Sequence, residues 1–378
     1  MLVRTVLRDN TFQRNITIRG LASWIFVSLI ILNNLVYQTN LQLNQVLVII
    51  SAVLLAFLVA LSRGTVSKYV VTFTVIVFLI YIPPVFFRET SQAVNRSFAY
   101  FLILMLYIFL LFYGYKVDVR KTHFFVFFAF YLAILSYVIL SGDRLIINPN
   151  WISLTLFYLF FLAWGKTSFI FLIFGLLSSF FVFESRGVSI VFFVAMLLFL
   201  AQKTIGEKST KIIYISIYFS LVVFMFYIIH LLSIDDKSLL QIIISITERG
   251  LGGRETALIQ GYQDLIESNL LGIGPASPGG YDDPVTGQGV HIHFGLLELM
   301  LKYTGLVLLG FCYLIIRLVK SASSDQFPMV GGAMMVVFFY NGLAPSHLGL
   351  NVLLLMIISK VILTSGNHIN GLFANNKR

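Results

Sequence analysis

The stretch SFIFLIFGLLSSFFVFESRGVSIVFFVAMLLFLAQK, residues 168–203, decides the fold class. It contains three charged side chains, Glu184, Arg186 and Lys203, and the first two mark a break between two apolar runs. No strand pattern is present, because apolar residues do not alternate with polar ones. Runs of this length and purity read as helices that cross a bilayer, for which about 20 residues suffice. The break at Glu184-Ser185-Arg186 then lies at a membrane edge.

Working outward, the same punctuation recurs along the chain. The apolar runs and charged breaks predict spans over about 21–38, 43–61, 70–87, 97–115, 124–140, 150–165, 167–183, 187–202, 212–232, 294–318, 327–345 and 348–364. The expected fold is therefore all-α: a polytopic helical transmembrane protein of about twelve spans, or ten or eleven because the sixth to eighth are short and closely joined, in a single integral membrane domain covering 1–378. The whole composition agrees. Of 378 residues, 58% are apolar and 11% charged, against about 45–50% and 25% in soluble domains. This excludes a soluble enzyme, a disordered chain and a coiled coil.

Charge fixes the expected orientation. With a cytoplasmic N-terminus and strict alternation, 18 of the 26 basic residues fall on the inner face, with only Asp9, Asp118, Glu207 and Asp325 as acids. The outer face holds 8 basic and 12 acidic residues. That asymmetry follows the positive-inside rule and places both termini in the cytoplasm. It also accounts for the formal charge of +10 without nucleic acid as a partner. Arg4, Arg8, Arg14 and Arg19 read as a retained cytoplasmic tail, since no small-residue cleavage site follows a short apolar core. The single cysteine, Cys312, excludes a disulfide within the chain and any cysteine-based metal site.

One outer loop is long. Residues 233–293 are too polar and too rich in glycine to lie in lipid, and long loops on one face often carry function. Within it, Leu258, Tyr262, Leu265 and Ile266 recur at helical spacing, which predicts an amphipathic helix over 255–268. Its apolar side has two possible supports, the membrane surface or the bundle of spans.

Three sets of residues carry chemistry. Arg186 stands at a membrane edge, where arginine is costly, and against the positive-inside bias. It reads either as a snorkelling side chain paired with Glu184 or as an anion site, since guanidinium matches phosphate oxygens with paired donors. Arg249 and Arg254 flank Gly250, Gly252 and Gly253, and Arg254 opens the amphipathic helix, a good setting for phosphate. His291 and His293 precede the tenth span, with Glu298 just inside it. Histidine is the usual general base near neutral pH. The two histidines lack a third fixed strong ligand, so a metal centre is not expected.

The ordered set of Ser185-Arg186-Gly187, Gly253-Arg254, Gly272-Ile273-Gly274, then His293 with Leu297-Glu298-Leu299 and Gly305-Leu306 resembles the O-antigen polymerase and O-antigen ligase family of bacterial membrane glycosyltransferases. The resemblance covers about residues 180–310. It implies a GT-C-like membrane enzyme of the bacterial inner membrane with a periplasmic active site. It implies an undecaprenyl-diphosphate-linked oligosaccharide as donor and a lipid-linked repeat unit as acceptor. Transfer would invert the anomeric centre and need neither cofactor nor metal. His293, Arg254 and Arg186 would be catalytic, with Arg249, His291 and Glu298 binding substrate. The spacing to Leu297-Glu298 is kept when counted from His293 rather than His291. A chain-length regulator is a further partner that the resemblance leaves open.

Polymerase is the expected activity, because abundant Phe, Ile, Leu and Asn are typical of AT-rich polysaccharide gene clusters, where polymerases usually lie. The close alternative is a ligase that moves glycan onto lipid A core. The alternative from another class is a flippase for lipid-linked oligosaccharides. Against it stand the lack of any repeat between the halves and the placing of the long loop after the ninth span.

Overall fold

The computed structural model describes residues 18–36, most of 50–54, 106–142, 149–233, 254–271, 280–282, 289–291, 295–303, 305–339 and 348–364. These segments form a helical membrane protein. In chain order the helices are α1 (Ile18–Val36), α2 (Leu106–Lys116, its last turn 3₁₀), α3 (Lys121–Ser141), α4 (Pro149–Trp164), α5 (Phe169–Leu177) and α6 (Arg186–Ile205). They continue with α7 (Glu207–Ser233), α8 (Arg254–Glu267), α9 (Gly295–Tyr303), α10 (Leu306–Ser321), α11 (Phe327–Phe339) and α12 (Leu348–Thr364). Among the described residues the only strands are β1 (Gly280–Asp282) and β2 (Gly289–His291), an antiparallel ribbon that pairs Gly280 with His291 and Tyr281 with Val290.

Among the described residues three helices, α3, α6 and the Glu207–Leu231 part of α7, are long and apolar enough to cross a membrane, and six shorter apolar helices accompany them. Their outward faces carry what a bilayer tolerates and water does not. Val126, Leu140, Ile170, Phe181 and Val223 are each at least 70% exposed. Two helices are instead buried on all sides. From Trp151 to Leu162 in α4, and from Leu350 to Ile358 in α12, every residue is buried, so these two form the centre of the bundle.

Helices approach closely where side chains are small, the usual device where no hydrophobic force drives association within lipid. α11 lies against α6 at Gly331 and Gly332. A Cβ on Gly332 would sit 2.7 Å from the Val191 carbonyl oxygen and 2.9 Å from Ala195 Cβ. Across α5 and α6, Gly175 holds the Phe192 ring where a Cβ would otherwise be.

Polar contacts sort the helix ends into two groups. At one end Thr167 N–H donates to Asp325 O at 2.6 Å, Lys211 Nζ donates to Ala322 O, and Tyr115 N–H donates to Ser359 Oγ at 2.9 Å. At the other, Asn150 meets Ser185, and Tyr262 of α8 meets His230 of α7 at 3.1 Å.

Two local features differ from the sequence expectation. The run expected as one span over 294–318 is broken between α9 and α10. The Gly305 N–H leaves the helix ladder and donates to Leu270 O at 2.6 Å, and α9, with nine residues, is about 14 Å long and too short to span. The run 167–183 is also irregular, because α5 passes into a π-turn over Ser178–Val182.

Candidate functional site

The chain enters α6 through a strained corner. Phe183 N–H donates to Ser178 O at 3.0 Å, closing the π-turn, and Ser185 N–H donates back to Ser179 O at 2.8 Å. Between them Glu184 adopts φ 48°, a left-handed conformation that is uncommon for a residue with a Cβ. π-turns and backbone strain of this kind gather at functional sites.

Buried polar side chains hold the corner from beneath. Ser185 donates its hydroxyl to Asn150 Oδ1 of α4. Ser189 donates to Ser185 O at 2.7 Å and lies 3.3 Å from Ser179 Oγ. Ser179 in turn bonds Gly175 O at 2.6 Å, while Ser178 and Tyr131 of α3 share a hydrogen bond of 2.6 Å. Four helices thus meet in one network. Inside a bilayer each of these groups must find a partner within the protein, which makes such a network rigid. Sequence reasoning missed it. The available signal was the Ser178-Ser179 pair inside an apolar run.

Arg186 stands on this corner as the first residue of α6 and is exposed. Among the described residues its guanidinium has neither an ion pair nor a hydrogen bond, so the pairing with Glu184 does not form. Because the Ser185 hydroxyl is committed to Asn150, no side chain caps the first turn of α6. A free guanidinium beside uncapped N–H groups suits an anion.

A second group of expected residues gathers around α8. Arg254 is the first residue of that helix, and His291 is the last residue of β2, opposite Gly280. α8 packs on α7, on α9 and on both strands. Its apolar side is therefore supported by the bundle. Ala257, Leu258 and Leu265 are buried, whereas Ile266, expected on that side, is half exposed. Glu298 lies in the first turn of α9 and is 5% exposed. A carboxylate so deeply buried is costly and points to a fixed role. Arg249 and His293 lie outside the described residues. The two groups connect through packing: α9 contacts α11, and α11 lies along α6, which begins at Arg186.

Among the described residues no three His, Cys, Asp or Glu side chains gather as a metal site; this does not extend to His293. No protein-family model matches the chain, and neither a curated protein nor a solved structure matches it.

Proposed function

We propose that the protein is a membrane glycosyltransferase that polymerises O-antigen or a related surface polysaccharide, drawing on an undecaprenyl-diphosphate-linked donor. The observation that carries this reading is Arg186. It is an exposed guanidinium without a partner among the described residues, held by a buried polar network at the end of an apolar helix. Diphosphate departure develops negative charge, and a fixed donor placed where charge develops is the most effective contribution a site can make. The N-terminal position of Arg254 in α8 supports a second donor.

In this mechanism the acceptor sugar hydroxyl attacks the anomeric carbon of the donor while the bond to the diphosphate oxygen breaks. His293 takes the hydroxyl proton, and Arg186 and Arg254 receive the diphosphate. A single displacement inverts the anomeric centre. Arg249, His291 and Glu298 hold the sugars. The site faces the periplasm and the termini the cytoplasm, as the charge asymmetry supports.

A deletion strain tests the activity. Loss of the gene should leave single repeat units on lipid A core, because ligation continues without elongation. Complete absence of glycan from lipid A core would instead indicate the ligase, and an unchanged ladder would reject both.

A further inference from the structure

The link between α2 and α3, residues 117–120, is extended at both its ends, with φ/ψ of −77°/121° at Val117 and −84°/154° at Arg120. In an extended chain successive side chains turn to opposite faces. Val117 and Val119 accordingly enter the core, whereas Asp118 and Arg120 are exposed and the partly buried Lys116 precedes them. The link is pinned in place. Tyr115 N–H donates to Ser359 Oγ of α12 at 2.9 Å, and Arg120 N–H donates to His123 Nδ1 at 3.1 Å. Gly114 lies so close to α12 that a Cβ there would sit 3.3 Å from Met356 Cα.

The cations of this link are held as well. Lys116 Nζ stands 5.3 Å from the centre of the Tyr113 ring and 5.8 Å from that of Tyr115. Lys121 Nζ stands 5.7 Å from the centre of the Trp164 ring of α4. Attraction between a cation and a ring face favours these positions. Lys166 is exposed two residues beyond Trp164. The acid among them, Asp118, pairs with Arg120 at 3.6 Å, so the positive charges outnumber it.

One turn along α3 the surface changes character. Phe125 and Val126 are 56% and 73% exposed, and the Phe125 ring meets the Trp164 ring edge-on at 5.7 Å. The rise from Lys121 to Val126 is about 7.5 Å. Tryptophan gathers where headgroups meet hydrocarbon, which is the level this change of surface marks. A matching occupant is anionic at its head and apolar directly beside it. Inorganic phosphate meets the first condition alone; a phospholipid meets both.

We propose that the α2–α3 link is a headgroup site for an anionic phospholipid, with its phosphate among Lys116, Arg120 and Lys121 and an acyl chain against Phe125 and Val126. Basic clusters between membrane helices bind acidic headgroups in this way. Because the link and its lysines are ordered beforehand, they lose little freedom on binding. The site lies at the helix ends opposite Arg186 and does not depend on the glycosyltransferase reading.

The test uses the full chain carrying Trp24→Phe, in nanodiscs that mix phosphatidylglycerol with phosphatidylcholine. Trp151 is 3% exposed, so quenching by dibrominated acyl chains reports on Trp164. Brominated phosphatidylglycerol should associate at Trp164 about fivefold more strongly than brominated phosphatidylcholine, which is about what one cation contributes near an anionic surface. Replacing Lys116, Arg120 and Lys121 together by glutamine should bring that ratio close to one. Lys121→Gln alone should lower it in the same direction, and it decides the matter if the triple variant does not fold. Lys203→Gln with Lys208→Gln, on the α6–α7 link, should leave the ratio unchanged, as should inorganic phosphate at constant ionic strength. A ratio of one in the parent would overturn the proposal. So would an equal loss in the Lys203 and Lys208 variant, which would mark the general field of that face, or displacement by inorganic phosphate, which would mark a site for free anions. If Trp24→Phe does not fold, the wild type in detergent decides. Added phosphatidylglycerol should raise its melting temperature more than that of Lys121→Gln, and equal rises would overturn the proposal.

Discussion

Replacing Gly332 by alanine should destabilise the protein more than replacing its neighbour Gly331, although both lie in α11 against α6. At Gly332 the new methyl meets the Val191 carbonyl oxygen at 2.7 Å, where ordinary contact begins at 3.4 Å. That oxygen belongs to the α6 backbone and cannot rotate away. The helices must part by several tenths of an ångström, and Ala195 Cβ at 2.9 Å blocks a sideways escape. Overpacking of this kind costs about 1–3 kcal/mol, from which the better helix propensity of alanine returns about 0.5–1 kcal/mol. At Gly331 the nearest atom, 2.3 Å away, is Leu198 Cδ1, the tip of a rotatable side chain. There the propensity gain should largely offset the strain. Heating the detergent-solubilised variants at one fixed rate and following loss of the monodisperse peak ranks them. Gly332→Ala should melt below both the wild type and Gly331→Ala. Because α11 links α6 to α9, it should also lower transfer activity below its melting temperature. A Gly332→Ala variant at least as stable as Gly331→Ala would refute the close packing of α6 on α11.

Arg186→Ala and Arg254→Ala should each cut transfer by about 100–1000-fold, with lysine recovering little, since a point charge does not replace a paired donor; glycan ladders of wild-type length from both variants would remove the diphosphate role. His293→Ala should lose about 100–10,000-fold in rate and His291→Ala much less. Since the base must be neutral to accept the proton, wild-type activity should fall on acidification, and a pH-independent rate would count against it. Cysteines placed at Ser277 and Ser209 should label oppositely with an impermeant thiol reagent in cells with a permeabilised outer membrane, Ser277 reacting and Ser209 not. Asn150→Leu should lower transfer while leaving the protein in the membrane, because it removes the partner of Ser185 beneath Arg186; an Asn150→Leu variant with full activity would disconnect the network from the site.

Much of the helical frame was legible because its boundaries are set by solvation. Lys121, Arg186 and Glu207 start helices where apolar runs meet charge, and reading those charges alone places α3, α6 and α7 within a few residues. The break before α10 was not legible, since Leu306 continues the apolar run and the bond that diverts Gly305 comes from Leu270, thirty-five positions away. The π-turn is closed by Phe183 N–H on Ser178 O, and Ser185 N–H on Ser179 O follows it at the corner. Their spacing carries no periodicity that would announce it. In the site, Arg186 was visible as a charge that costs energy at a membrane edge, whereas its lack of a local partner depends on where the Glu184 backbone turns. Ile266 was placed on the packed side of α8 by helical spacing, but contacts with α7 and α9 chose a stripe running through Ala257 instead.

The most direct measurement of the central claim uses the purified protein in liposomes with a chemically synthesised repeat unit on undecaprenyl diphosphate, and with no ion gradient or nucleotide sugar. The account predicts a ladder of lengthened lipid-linked glycan together with release of undecaprenyl diphosphate, one carrier for each bond formed. Liposomes in which the substrate crosses the membrane but never lengthens would contradict it.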